Sequence, residues 1–125
     1  MRQCTGACRI LRSAPENKKN LLPRTQFPPS TPESGNLFRK YGAIFSVELA
    51  DELDCFEFLN RMNTVVSSSN LGDNRSLGIP VAHTIFHEMG AERRATMGIP
   101  DSMIRFSVGL EELEDLLRDF EEALA

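Results

Sequence analysis

The side chain best suited to chemistry is Arg105, set in Met103-Ile104-Arg105-Phe106-Ser107-Val108. Ile104, Phe106 and Val108 alternate with Met103, Arg105 and Ser107, which predicts a half-buried strand whose pleat turns Arg105 away from the core. A guanidinium stays charged and can bind both oxygens of a carboxylate at once, fixing an orientation that a lysine cannot. An arginine on a strand is more often solvated or ion-paired than a ligand anchor, so the alternation alone leaves both readings open. Ser76 lies in the loop Asn74-Arg75-Ser76-Leu77, and taken by itself it is a turn residue. His83 and His87 stand four apart with Glu88 beside them, a spacing that pairs zinc ligands when it falls on a helix. Pro80, Val81, Thr84, Ile85 and Phe86 argue against a continuous helix there and no third ligand follows, so no metal site is expected. Three cysteines cannot all pair, and Cys4 and Cys8 lack the second pair of a zinc site. All three read as reduced thiols, with Cys55 a small core residue.

The elements that must position these groups follow from the apolar periodicity. Ala43, Phe45, Val47 and Leu49 alternate with Ser46 and Glu48 as in a strand with one buried face. Asp51 stands where an N-cap belongs, with Asp54 three residues on, and Leu53, Phe56, Leu59, Met62 and Val66 recur at helical spacing. Val65 to Arg75 reads as a short extended piece running into a polar loop of turn formers. A short helix is predicted from Ala91 to Met97, stopped by Gly98 and Pro100. Leu110, Leu113, Leu116, Leu117, Phe120 and Leu124 form one stripe of a final helix, with Glu111, Glu112, Glu114 and Asp115 at its positive end. Together these elements predict an α+β fold, a small two-layer domain with helices packed on a small, mostly antiparallel sheet. From Met1 to Asn36 there is no periodicity, and Pro23, Pro28, Pro29 and Pro32 oppose sustained pairing. We read 1–36 as an unstructured leader or linker with a faint likeness to an organelle transit peptide, and 37–125 as the folded domain.

Charge divides along the same line. Residues 1–36 hold six Lys or Arg against two Glu, and residues 37–125 hold eight against sixteen acids. A folded part this acidic repels phosphate backbones, so nucleic acid is not an expected partner. No window approaches the run of about 18 apolar residues that a spanning helix needs, and the start lacks a secretory stretch. A cytoplasmic protein without membrane contact is the expectation.

The run Met103-Ile104-Arg105-Phe106-Ser107-Val108-Gly109-Leu110-Glu111, followed by Glu114-Asp115-Leu116-Leu117, resembles the closing motif of the Cys/Met-metabolism PLP-dependent enzymes. That family includes cystathionine γ-synthase, the cystathionine lyases, methionine γ-lyase and the homoserine sulfhydrylases. The resemblance is sustained over residues 37–125 through Phe45-Ser46-Val47-Glu48-Leu49, Asn70-Leu71-Gly72-Asp73, Ser76-Leu77, Glu92-Arg93-Arg94 and Met97-Gly98-Ile99. It implies the C-terminal substrate domain of such an enzyme, with Arg105 anchoring the substrate α-carboxylate and Ser76 lying beside the substrate. It also implies pyridoxal phosphate as cofactor and an amino-acid substrate of the cystathionine, methionine or O-acylhomoserine type.

Two departures qualify the match. Many members carry a His-Pro-Ala step and a later Thr-His pair where this chain has Ile79-Pro80-Val81-Ala82-His83-Thr84-Ile85-Phe86, which leaves the subfamily open. The chemistry needs a lysine for the Schiff base, yet Lys18, Lys19 and Lys40 are the only lysines and none lies in a Ser-x-Thr-Lys setting. No catalytic residue or cofactor contact is therefore assigned, and the chain is expected to be inactive alone. Two other readings stand beside this one: a non-catalytic partner that forms homo- or hetero-oligomers with a full-length relative, and a stand-alone amino-acid-binding module using Arg105.

Overall fold

The computed structural model describes residues 43–50 and 52–125. The leader assigned to residues 1–36, the boundary at Leu37 and Asp51 lie outside the described residues. Strand β1 (Ile44–Glu48) is followed by helix α1 (Cys55–Arg61), strand β2 (Val66–Ser67) and strand β3 (Leu77–Pro80). A 3-10 turn (His87–Met89), helix α2 (Ala91–Thr96), strand β4 (Met103–Ser107) and helix α3 (Leu113–Ala123) complete the order. The sheet runs β1-β4-β3-β2. Strand β4 pairs antiparallel with both β1 and β3, and β2 pairs parallel with β3. This is an α+β domain with a four-stranded mixed sheet, mostly antiparallel as its periodicity predicts.

Register sorts the side chains onto two faces. Residues directly opposite in paired strands share a face, so Phe45, Val47, Ile104, Phe106, Gly78 and Pro80 face one way. Ser46, Arg105 and Ile79 face the other, joined by Leu77 and Ser107. The first face carries the core. Ile104 is fully buried, and the Phe106 ring lies 5.3 Å from Phe45 and 4.9 Å from Phe120 between centroids. Cys55, Phe58 and Leu59 of α1 and Leu116 and Ala123 of α3 close over it. Gly78 makes this closure fit, since a Cβ there would meet Leu59 Cδ2 at 2.8 Å and Phe106 Cε1 at 3.0 Å.

Several local expectations are corrected. Helix α1 starts at Cys55, capped by Asp54, whose Oδ1 accepts from the amides of Phe56 at 2.9 Å and Glu57 at 2.8 Å. The helix therefore starts later than the apolar spacing suggested, and Leu53 lies ahead of it. The buried face is Cys55, Phe58, Leu59 and Met62, while Phe56 is exposed and Val66 belongs to β2. Strand β3 has no counterpart in the periodicity, because all four of its residues are buried and nothing alternates. Leu110 is 77% exposed and precedes α3 instead of joining its apolar stripe. Helix α2 and its stop at Gly98 (φ +67°) agree with the sequence reading.

Candidate functional site

Strand β4 and the segment that follows it present alternate residues to one loop, residues 68–76. The odd positions 105, 107, 109 and 111 all meet this loop, while Ile104 and Phe106 fill the core. Arg105 Nη2 donates to the carbonyl oxygen of Ser69 at 2.9 Å and, at 3.4 Å, weakly to that of Asn70. The Ser107 hydroxyl accepts from the amide of Gly72 at 3.1 Å. Gly109 lies against the loop main chain so closely that a Cβ would come within 2.4 Å of Arg75 C and Asn74 O. The Leu110 amide donates to Asn74 O at 2.8 Å.

Glu111 ends the series. Its Oε1 accepts from the Ser76 amide at 2.6 Å and its Oε2 accepts from the Ser76 hydroxyl at 2.7 Å. The Gly109 amide in turn donates to Ser76 Oγ at 2.9 Å. Ser76 O accepts from the Val66 amide, so the serine's amide, carbonyl and hydroxyl are all engaged at 3% exposure. Glu111 thus serves the loop. The helix N-terminus is left to Glu112, at the cap, with Glu114 and Asp115 in the first turn.

Arg105 is half-buried and meets only neutral oxygens. Arg61, Arg94 and Arg118 have carboxylate partners in Glu57, Asp101 and Asp115. Arg105 has none among the described residues, and its Nε is buried without an acceptor. A full positive charge held by the Ser69 and Asn70 carbonyl dipoles alone is a receptive setting for an anion.

Other candidate groups fall elsewhere. His83 lies in the turns after β3, with its ring 5.1 Å from that of Phe56 and Nε2 3.0 Å from Asp101 O, while His87 opens the 3-10 turn. The two histidines share no helical face. Among the described residues no cluster of three metal-ligating side chains occurs. Cys55 is buried, and burial, reinforced by the charge of Asp54, pushes its thiol above the ordinary cysteine range. The loop-binding roles of Ser107, Gly109 and Glu111 escape sequence reasoning, although the i, i+2 alternation that aimed Arg105 carried the signal for Ser107 as well.

The described residues contain no lysine, so none of them can form the imine through which pyridoxal phosphate is held. They do not fit the cofactor.

Comparison with known proteins gives this geometry a context. The chain is 44% identical over 70 residues to O-succinylhomoserine sulfhydrylase of Mycobacterium tuberculosis, covering 56% of this chain and 17% of that protein. It is 39% identical over 85 residues to cystathionine beta-lyase of Lactococcus lactis, covering 67% of this chain and 22% of the relative. The crystal structure of the cystathionine gamma-lyase CalE6 from Micromonospora echinospora superposes with a TM-score of 0.80 at 29% identity, over 98% of this chain and 33% of that one. The chain thus spans a third or less of each of these proteins. The model of the Cys/Met metabolism PLP-dependent enzymes matches residues 9–125, beginning ahead of Leu37, and the chain belongs to that family.

Proposed function

We propose that residues 37–125 form the substrate-carboxylate part of a trans-sulfuration enzyme, with Arg105 anchoring the α-carboxylate of an amino-acid substrate. The observation that carries this reading is the half-buried Arg105 guanidinium, met only by main-chain carbonyls while the other buried arginine, Arg94, has a carboxylate. A substrate carboxylate would supply the missing counter-charge and occupy the guanidinium edge in two-point fashion. Ser76 belongs to the same site as the residue that fixes the loop beside the substrate.

The reaction served is β- or γ-elimination or replacement on cystathionine, methionine or O-acylhomoserine-type amino acids, carried out in the cytoplasm. None of Lys18, Lys19 and Lys40 lies in a Ser-x-Thr-Lys setting and residues 43–125 hold no lysine, so in this reading the chain is inactive alone. Purified protein mixed with pyridoxal phosphate and either cystathionine or O-succinylhomoserine should gain no visible cofactor band and form no product. A coloured protein that turns over either substrate would contradict this.

A second reading rests on the exposed apolar side chains. Ile44, Phe56, Leu71, Ile85, Met97 and Leu110 are large and at least 45% exposed, and no helix among the described residues is long and apolar enough to cross a membrane. In this reading they contribute to the surface that the domain would show to the rest of a full-length relative. Co-purification of the tagged chain with such an enzyme supports it; a chain that stays monomeric in its presence removes it.

A further inference from the structure

We infer that Glu111 is a positioning residue for Arg105, acting through loop 68–76; the benefit to substrate rests on the carboxylate reading of Arg105. The two side chains are six positions apart and face the same loop from opposite ends. Glu111 fixes Ser76 through two short bonds, to its amide at 2.6 Å and its hydroxyl at 2.7 Å. A charged acceptor taking two bonds from one residue is among the stronger ties available to a loop. From Ser76 the loop runs back through Asn74, held by the Leu110 amide, and Gly72, held by Ser107, to the Ser69 and Asn70 carbonyls on the guanidinium.

The geometry has little slack. At Gly109 the space between strand and loop is smaller than one methyl group, so the loop cannot approach closer than it does. It can move only outward, and the Glu111 carboxylate opposes that. Gly72, whose amide makes the Ser107 contact two residues from Asn70, adopts φ +68°, a conformation that glycine takes without strain. Release at Ser76 therefore loosens the carbonyls that orient Arg105, while Ile104 and Phe106 on the opposite face lose no partner.

The test uses the isotope-labelled full chain, first without ligand. In Glu111→Gln the amides of Gly72, Ser76 and Gly109 should exchange about tenfold faster, with those of Ile104 and Phe106 unchanged. The Arg105 Nε–Hε signal should move, and the affinity for L-methionine should fall about tenfold while the thermal midpoint of the core holds. Ser76→Ala, which removes the hydroxyl's bonds to Glu111 and Gly109, should give the same pattern at smaller size and serves if the first variant fails to fold. Unchanged Arg105 and Gly72 signals in a folded variant would overturn the inference, as would a loss of protection spread evenly through the core. If the unaltered chain does not bind L-methionine, the carboxylate reading falls, while the ligand-free exchange and Arg105 signals still decide the role of Glu111.

Discussion

Two residues show how local chemistry is set by a neighbour the sequence does not place beside them. Gly109 has the loop main chain where a side chain would go, so Gly109→Ala should unseat residues 74–76 and their bonds to Leu110 and Glu111. We predict a loss of about 2 kcal/mol, comparable to overpacking a core, read as a lower urea midpoint, together with loss of the Arg105 contacts. Cys55 behaves differently. Burial favours its protonated thiol, so the folded-state pKa lies above 9.0, the ordinary value taken for the unfolded chain. The stabilisation is complete below pH 9.0 and is lost as pH rises from there through the folded pKa. Stability should therefore decline more steeply above that pH in the native sequence than in Cys55→Ala, and equal slopes would refute it.

At the scale of elements, Asp119 does the most with one side chain. It projects from α3, is 3% exposed, and accepts from the amides of Asn63 at 2.6 Å, Thr64 at 2.9 Å and Val65 at 3.1 Å. These amides end α1 and lead into β2, so the carboxylate joins the last helix to the first helix and the sheet edge. Asp119→Ala strands three donors and should cost about 3 kcal/mol, measured by urea unfolding, whereas Arg118→Ala beside it should cost well under about 1 kcal/mol because its ion pair with Asp115 is exposed. Neither Asp119 nor β3 was legible in the sequence, and for related reasons. Asp119 sits on a helix already rich in exposed acids, and Leu77–Pro80 is buried on both faces, so periodicity marks neither. Strands β1 and β4 and helix α3 were legible because apolar and polar residues alternate along each at strand or helix spacing, and α2 because Gly98 and Pro100 mark its end. In α1 two apolar sets fit helical spacing, and only packing buries Cys55 and Phe58 beside Leu59 and Met62 and leaves Phe56 exposed, while Leu53 packs against the core from ahead of the helix.

For the whole molecule, the fold separates tasks by sheet face. One face of β4 is closed by α1 and α3 around Phe106, and the other holds a polar loop over Arg105. The orientation of Arg105 could be read from two-residue alternation; the loop's hold on residues 107, 109 and 111 could not, because that contact joins segments some 35 positions apart. The family resemblance drew attention to Ser76 and to the run from Met103 to Glu111, but not to the contact between them.

The central claim is that Arg105 binds a carboxylate, and a paired titration addresses it directly. The Arg105 Nε–Hε signal of the labelled chain should shift saturably with L-methionine and not with L-methioninol, which has a hydroxymethyl group in place of the carboxylate. Arg105→Lys should weaken L-methionine binding at least about tenfold, because an ammonium cannot reproduce the two-point contact. Equal responses to the two ligands, or full affinity in Arg105→Lys, would contradict the account.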